Sequence, residues 1–80
     1  MSDTDTLIQA FRTALELPED ADVEALVYGS HPHWDSIGHM ALIAEIEAVF
    51  DVMFDTDDVL ALDSFDGAVE LVRRHALPAV

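Results

Sequence analysis

The sequence predicts an all-α fold: a small four-helix bundle with a long first loop and a short third helix. Three observations carry this expectation. Apolar residues recur at helical spacing in separate stretches of the chain. Strand-type alternation is nearly absent, and the short run "DVMF" at 51–54 is the only candidate. Eighty residues supply one hydrophobic core and no second, so residues 1–80 are read as a single domain.

The first helix is expected over residues 4–16. Leu7, Phe11 and Leu15 recur every fourth residue, and Ile8 and Ala14 widen the stripe. Asp3 and Asp5 stand near its start, where the helix dipole favours acids, and Pro18 closes it. An acidic connection over 17–34 follows. Val23, Leu26 and Val27 are expected to pin it to the core as a brief helical turn, before "GSHP" breaks it. Residues 36–50 form the most regular helix, free of proline. "DTDDVLAL" suggests a short third helix over about 55–61. "SFDGAVELVRRH" gives the fourth, with Phe65, Ala68, Val69 and Val72 on one face and Arg73, Arg74 and His75 suited to its negative end. Trp34 is expected to anchor the long loop on the bundle, and Tyr28 and Phe54 to pack.

Composition excludes several functions. Three basic against seventeen acidic residues give a formal charge of −14. Phosphate backbones and anionic membrane surfaces repel such a chain, so neither nucleic acid nor membrane is an expected partner. Basic protein surfaces are the natural complement. The absence of cysteine removes disulfides and thiolate metal sites. The start, "MSDTDTLIQ", has no signal-peptide pattern, and no apolar run has the length of a membrane span, so a cytoplasmic location is expected.

The second helix has two apolar faces. With successive residues 100° apart, Leu42, Ile46, Val49 and Phe50 fall together, flanked by His39 and Ile43, as the core stripe. The opposite half holds Ile37, Met40, Ala41, Ala44 and Ala48, with Glu47 beside Met40 and in line with Ser36. A solvated face normally carries long charged side chains. This one either packs against another element or receives a partner. Asp35 is placed to cap the helix, which leaves Ser36 at the first helical position with its hydroxyl free. Unpaired amides and the dipole make such a start fit for a phosphodiester on the serine oxygen. On the residues alone, a plain helix cap remains open as the alternative.

"WDSIGHMALIAEIEAVF" resembles the modification site and second helix of acyl carrier proteins. Asp35, Ser36 and Ile37 match the family's Asp-Ser-Leu triplet, and Glu47 and Phe50 match the acidic and aromatic end of its helix. The resemblance covers nearly the whole chain in helix order, with the serine near the middle. It implies that Ser36 receives a 4′-phosphopantetheine arm from coenzyme A through a phosphopantetheinyl transferase. Asp35 matches the acid that helps place the metal ion in that transfer. The arm's thiol would hold an acyl group as a thioester, so the missing cysteine is no obstacle. The chain itself would catalyse nothing and would bind no metal of its own. It would present its cargo, as a monomer, to acyl-loading and acyl-processing enzymes, the tether raising effective concentration.

In the family, positions matching Ile37, Met40 and Ala44 offer apolar contacts to those enzymes, and the one matching Glu47 meets their basic residues. The sequence departs from the fatty-acid pattern at Ala41 and Ala48, where acids are frequent, and at Gly38-His39. Glycine inside a helix costs about 1 kcal/mol against alanine, so Gly38 is expected to serve a close approach beside the arm. "WDSIGHM" looks more like discrete carriers of polyketide, hybrid peptide or other specialised pathways. Peptidyl carriers usually show paired glycines where His33 and Trp34 stand.

Other readings fit less well. "DTDDVLALDSFD" has an EF-hand's length, but Val59 and Leu60 occupy its fifth and sixth positions. His31, His33 and His39 match no common zinc spacing, and no nucleophile-elbow pattern surrounds Ser36. The main alternative is an unmodified acidic helical adaptor that binds basic proteins through the strip on the second helix.

Overall fold

Four α-helices run through residues 3–75, the part of the chain that the computed structural model describes. They are α1 (Asp3–Leu15), α2 (Ser36–Phe50), α3 (Thr56–Ala61) and α4 (Phe65–His75), and a 3-10 turn (Val23–Ala25) lies in the long first loop. No strand forms among the described residues, and "DVMF" is an irregular link between α2 and α3.

Leu7, Ala10, Phe11 and Leu15 of α1 are buried, as their spacing demands. The helix stops where Glu16 turns left-handed at φ 51°. The Leu17 N–H then reaches back to the Arg12 carbonyl at 3.1 Å, and the Leu17 side chain is buried. This closing loop satisfies carbonyls that the helix leaves open. The Arg12 guanidinium donates to the Pro18 and Glu19 carbonyls at 2.9 and 3.0 Å, so the chain leaving α1 is tied down twice. The same device ends α2. Asp51 is left-handed at φ 55°, and the Val52 N–H donates to the Glu47 carbonyl at 3.1 Å.

The long loop is pinned differently from the expectation. Val23 is buried and Leu26 partly so, but Val27 is 48% exposed. Backbone does the work at Val27, which forms an antiparallel bridge with Ser64. The Tyr28 N–H donates to the Asp63 carbonyl at 2.7 Å, and the Phe65 N–H to the Leu26 carbonyl at 3.0 Å. Trp34 is fully buried and meets Phe11 edge-on with ring centroids 5.4 Å apart. Tyr28, expected to pack, touches Trp34 edge-on yet stays largely exposed.

Helix α2 lies chiefly against α1. Leu42, Ile43 and Ile46 are buried, Phe50 packs against the core, and Val49 is 43% exposed, contrary to its place in the expected stripe. The buried stripe is centred between His39 and Ile46, which puts Val49 about 70° off its axis. In α4, Phe65, Ala68, Leu71 and Val72 are buried and Val69 is half-buried, while Ser64 accepts the Gly67 N–H at 2.9 Å at the helix start.

Candidate functional site

The start of α2 is assembled by the loop that leads into it. Asp35 is extended, at φ −106° and ψ −168°, and its Oδ1 accepts the Gly38 N–H at 2.8 Å. Its backbone carbonyl accepts the His39 N–H at 2.8 Å, the first bond of the helix. Asp35 is therefore the cap, and Ser36 is the first helical residue. Ser36 is exposed, and no residue among those described bonds its hydroxyl.

Gly38 explains how the loop can lie so close. A Cβ at this position would collide with the His33 carbonyl oxygen and stand 3.1 Å from Leu15 Cδ2. The expected close approach is real, but it is made by the loop backbone. His33 is held there from a second side, since its Nδ1–H donates to the Leu15 carbonyl at 2.8 Å. The His33 N–H in turn donates to His31 Nδ1 at 3.1 Å. The end of α1, the loop and the first turn of α2 thus form one backbone-packed corner. Ser36 projects from it.

His39 is the polar centre behind the serine. The Trp34 indole N–H donates to its Nδ1 at 3.0 Å, and its Nε2–H donates to the Val59 carbonyl at 2.8 Å. Both ring nitrogens are thereby occupied, and the tautomer follows from the two partners. The ring is stacked on Trp34 at an interplanar angle of 18° and meets Tyr28 edge-on. A base for Ser36 needs a free nitrogen near it, and His39 has none to give. The imidazoles of His33 and His39 are likewise turned onto carbonyls, and no cluster of three or more metal-binding side chains occurs among the described residues. The stretch with an EF-hand's length contains α3, so its middle is helix where a calcium loop needs a turn.

A groove of about 410 Å³ opens beside Ser36. Ser36, His39 and Met40 of α2 line it together with Val59 and Leu60 of α3 and Leu62 just beyond. The lining is mainly apolar side chain. On the other flank of α2, a shallower hollow of about 290 Å³ lies between Leu15, His33, Asp35 and Ile37.

The second apolar face of α2 is uncovered. Ile37 is 81% exposed and Met40 58%, and Ala41, Ala44 and Ala48 are exposed with them. No described element packs over this face. Glu47 behaves unlike the other three expected docking residues. It is half-buried, and its Oε2 accepts the Phe54 N–H at 2.8 Å. Its carbonyl accepts the N–H groups of Asp51 and Val52. Glu47 therefore organises the link from α2 to α3. Phe54 lies seven positions further along the chain, a spacing with no local signature, so sequence reading could not find this role. The clasp of Val59 by His39 was hidden for the same reason.

No protein-family model, curated protein or solved structure matches this chain.

Proposed function

We propose that the chain is an acyl carrier: Ser36 bears a 4′-phosphopantetheine arm, and the helical bundle presents the acyl group on it to partner enzymes. One observation carries this reading. Asp35 does the capping, so the Ser36 hydroxyl is exposed and unbonded at the mouth of an apolar groove. A serine needed only as a cap would accept an amide N–H of its own helix.

The neighbourhood fits the arm. The Gly38 amide is taken by Asp35, while the earlier amides of the first turn remain to face a phosphate on Ser36. When bound, the arm supplies the thiol that the cysteine-free chain lacks. Asp35 keeps one carboxylate oxygen outside its capping bond, for a transferase's metal ion. Ile37, Met40 and Ala44 continue from the serine as an uncovered apolar strip, on a surface whose charge favours enzymes with basic docking patches. Four helices with a long first loop and a short third one are also the architecture expected of a carrier. The specialised pathways remain the preferred setting, because Ala41 and Ala48 leave the strip without the acids frequent in fatty-acid carriers.

The uncovered strip also suits an unmodified adaptor for basic proteins, which would not need Ser36. Intact mass separates the two readings. Purified protein and its Ser36→Ala variant are incubated with coenzyme A, magnesium and a broad-specificity phosphopantetheinyl transferase. A carrier gains the mass of one phosphopantetheine, and the variant gains nothing. No gain, while a control carrier is modified in the same mixture, favours the adaptor.

A further inference from the structure

We infer that the Trp34–His39 pair is a barrier between the groove and the core, resting this on the carrier reading: cargo on the arm stays in the groove and does not enter the bundle. The cargo such a carrier suits is a short or oxygenated acyl group, not a long saturated chain.

Groove and core meet at His39. The residue is half-buried and its ring lines the groove. Trp34 is stacked on that ring, with centroids 6.3 Å apart and an interplanar angle of 18°. Trp34 is itself 0% exposed and meets Phe11 edge-on on the core side. Tyr28, a third groove residue, stands edge-on to both rings at 5.5 and 6.1 Å. Leu62 lines the groove and belongs to the core cluster as well. One and two turns further along α2, Leu42 and Ile46 are fully buried and lie outside the groove lining. A chain that entered the bundle would have to pass His39 or Leu62 to reach them.

Polar bonds hold the barrier, and packing adds to them. An apolar side chain can change rotamer to admit a guest. The His39 imidazole is fastened at both nitrogens: Nδ1 accepts the Trp34 indole N–H at 3.0 Å, and Nε2–H donates to the Val59 carbonyl at 2.8 Å. Turning the ring aside would leave a buried indole N–H and a backbone carbonyl facing an alkyl chain that can bond neither. Groups stripped of partners in this way carry their full desolvation cost. Passing Leu62 instead means displacing side chains of a close-packed interior. A long saturated chain therefore finds no burial inside this bundle. Keto and hydroxyl groups, which a core would exclude, stay within reach of water in the open groove.

The test places an octanoyl arm on Ser36, with octanoyl-coenzyme A as donor and a broad-specificity phosphopantetheinyl transferase, and reads nuclear Overhauser contacts of the 13C-labelled chain. Intact mass comes first. A protein that takes no arm fails the carrier reading, and free labelled octanoyl-pantetheine then probes the barrier by the same contacts. In the unsubstituted protein the chain should touch Met40 and Leu60 and show no contact with Leu42 or Ile46. In His39→Ala, contacts with Leu42 and Ile46 should appear. Trp34→Phe keeps a ring in the core and unfastens His39, so it is the milder second variant and should show the same contacts more weakly. Contacts with Leu42 or Ile46 in the unsubstituted protein overturn the inference. So does a chain that stays in the groove in every variant whose amide spectrum shows a native fold.

Discussion

The Trp34 indole donates its N–H to His39 Nδ1 at 3.0 Å, across the four residues that include the cap and the candidate modification site. The bond joins a buried loop side chain to the second turn of α2, so the loop cannot shift without moving the helix start. Ser36 is held between the two anchors. The relationship makes the geometry around Ser36 a property of the core as much as of the loop.

Replacing Trp34 with Phe keeps a ring in the core and removes this donor. His39 Nδ1 then loses its partner in a half-buried place, which costs about 2 kcal/mol. Urea unfolding followed by far-ultraviolet circular dichroism measures the loss. A change below about 0.5 kcal/mol, the range of ordinary surface substitutions, would show that the bond contributes little and that Trp34 anchors by burial alone.

Gly38→Ala sets two principles against each other. Helix propensity alone predicts stabilisation by about 1 kcal/mol. The His33 carbonyl stands where the new methyl group would go, and it is held there by the Leu15–His33 bond. Backbone cannot yield as a flexible side chain would, so net destabilisation by about 2 kcal/mol is expected. A more stable variant would mean that the loop backs away at little cost.

Glu16→Gly should act in the opposite sense. Glu16 is left-handed at φ 51°, where a Cβ is strained and glycine is not. The substitution also removes one acid from a chain of charge −14. A gain of up to about 1 kcal/mol is expected, measured by the same unfolding experiment. Ala14→Gly, inside α1, is the control and should lose about as much.

These three sites show what a sequence exposes and what it hides. Helix boundaries follow from local signals: apolar spacing and the capping aspartate placed α2 at residues 36–50, where the structure has it. The candidate site was legible for the same reason, because Asp35, Ser36 and the uncovered strip lie within one stretch of chain. Tertiary causes left no such trace. The bridge from Val27 to Ser64 joins residues far apart in sequence, with no alternating pattern on either side. Gly38 reads as a place of close approach, but nothing in the sequence says that the His33 backbone is what approaches. Val49 was assigned to the core because periodicity gives a direction, whereas the width of the buried stripe depends on what packs there. Glu47 looked like a surface acid, and its bond to Phe54 appears only once the chain turns.

Ile37 tests the uncovered strip directly. It is 81% exposed, so Ile37→Glu should leave stability within about 0.5 kcal/mol. If the strip meets a partner, the same change should reduce kcat/KM for phosphopantetheinyl transfer to Ser36 several-fold. Unchanged transfer would remove Ile37 from the docking surface.

Glu47 separates docking from loop organisation through two substitutions. Glu47→Gln removes the charge and keeps an oxygen able to accept the Phe54 N–H; Glu47→Ala removes both. An acid that meets basic residues of a partner loses its effect in both variants alike, so transfer to Ser36 should slow equally, and added salt should narrow the difference from the unsubstituted protein. An acid that shapes the link between α2 and α3 keeps its role in Gln and loses it in Ala. Its signature is destabilisation of the Ala variant by about 1 kcal/mol with Gln near neutral. The bond to Phe54 is on one carboxylate oxygen only, and the half-buried side chain leaves the other open to a partner. Both effects are therefore expected together: equal slowing of transfer in the two variants, and a loss of stability confined to Glu47→Ala. Slowing confined to Ala would leave Glu47 a loop residue and restrict the docking strip to Ile37, Met40 and Ala44.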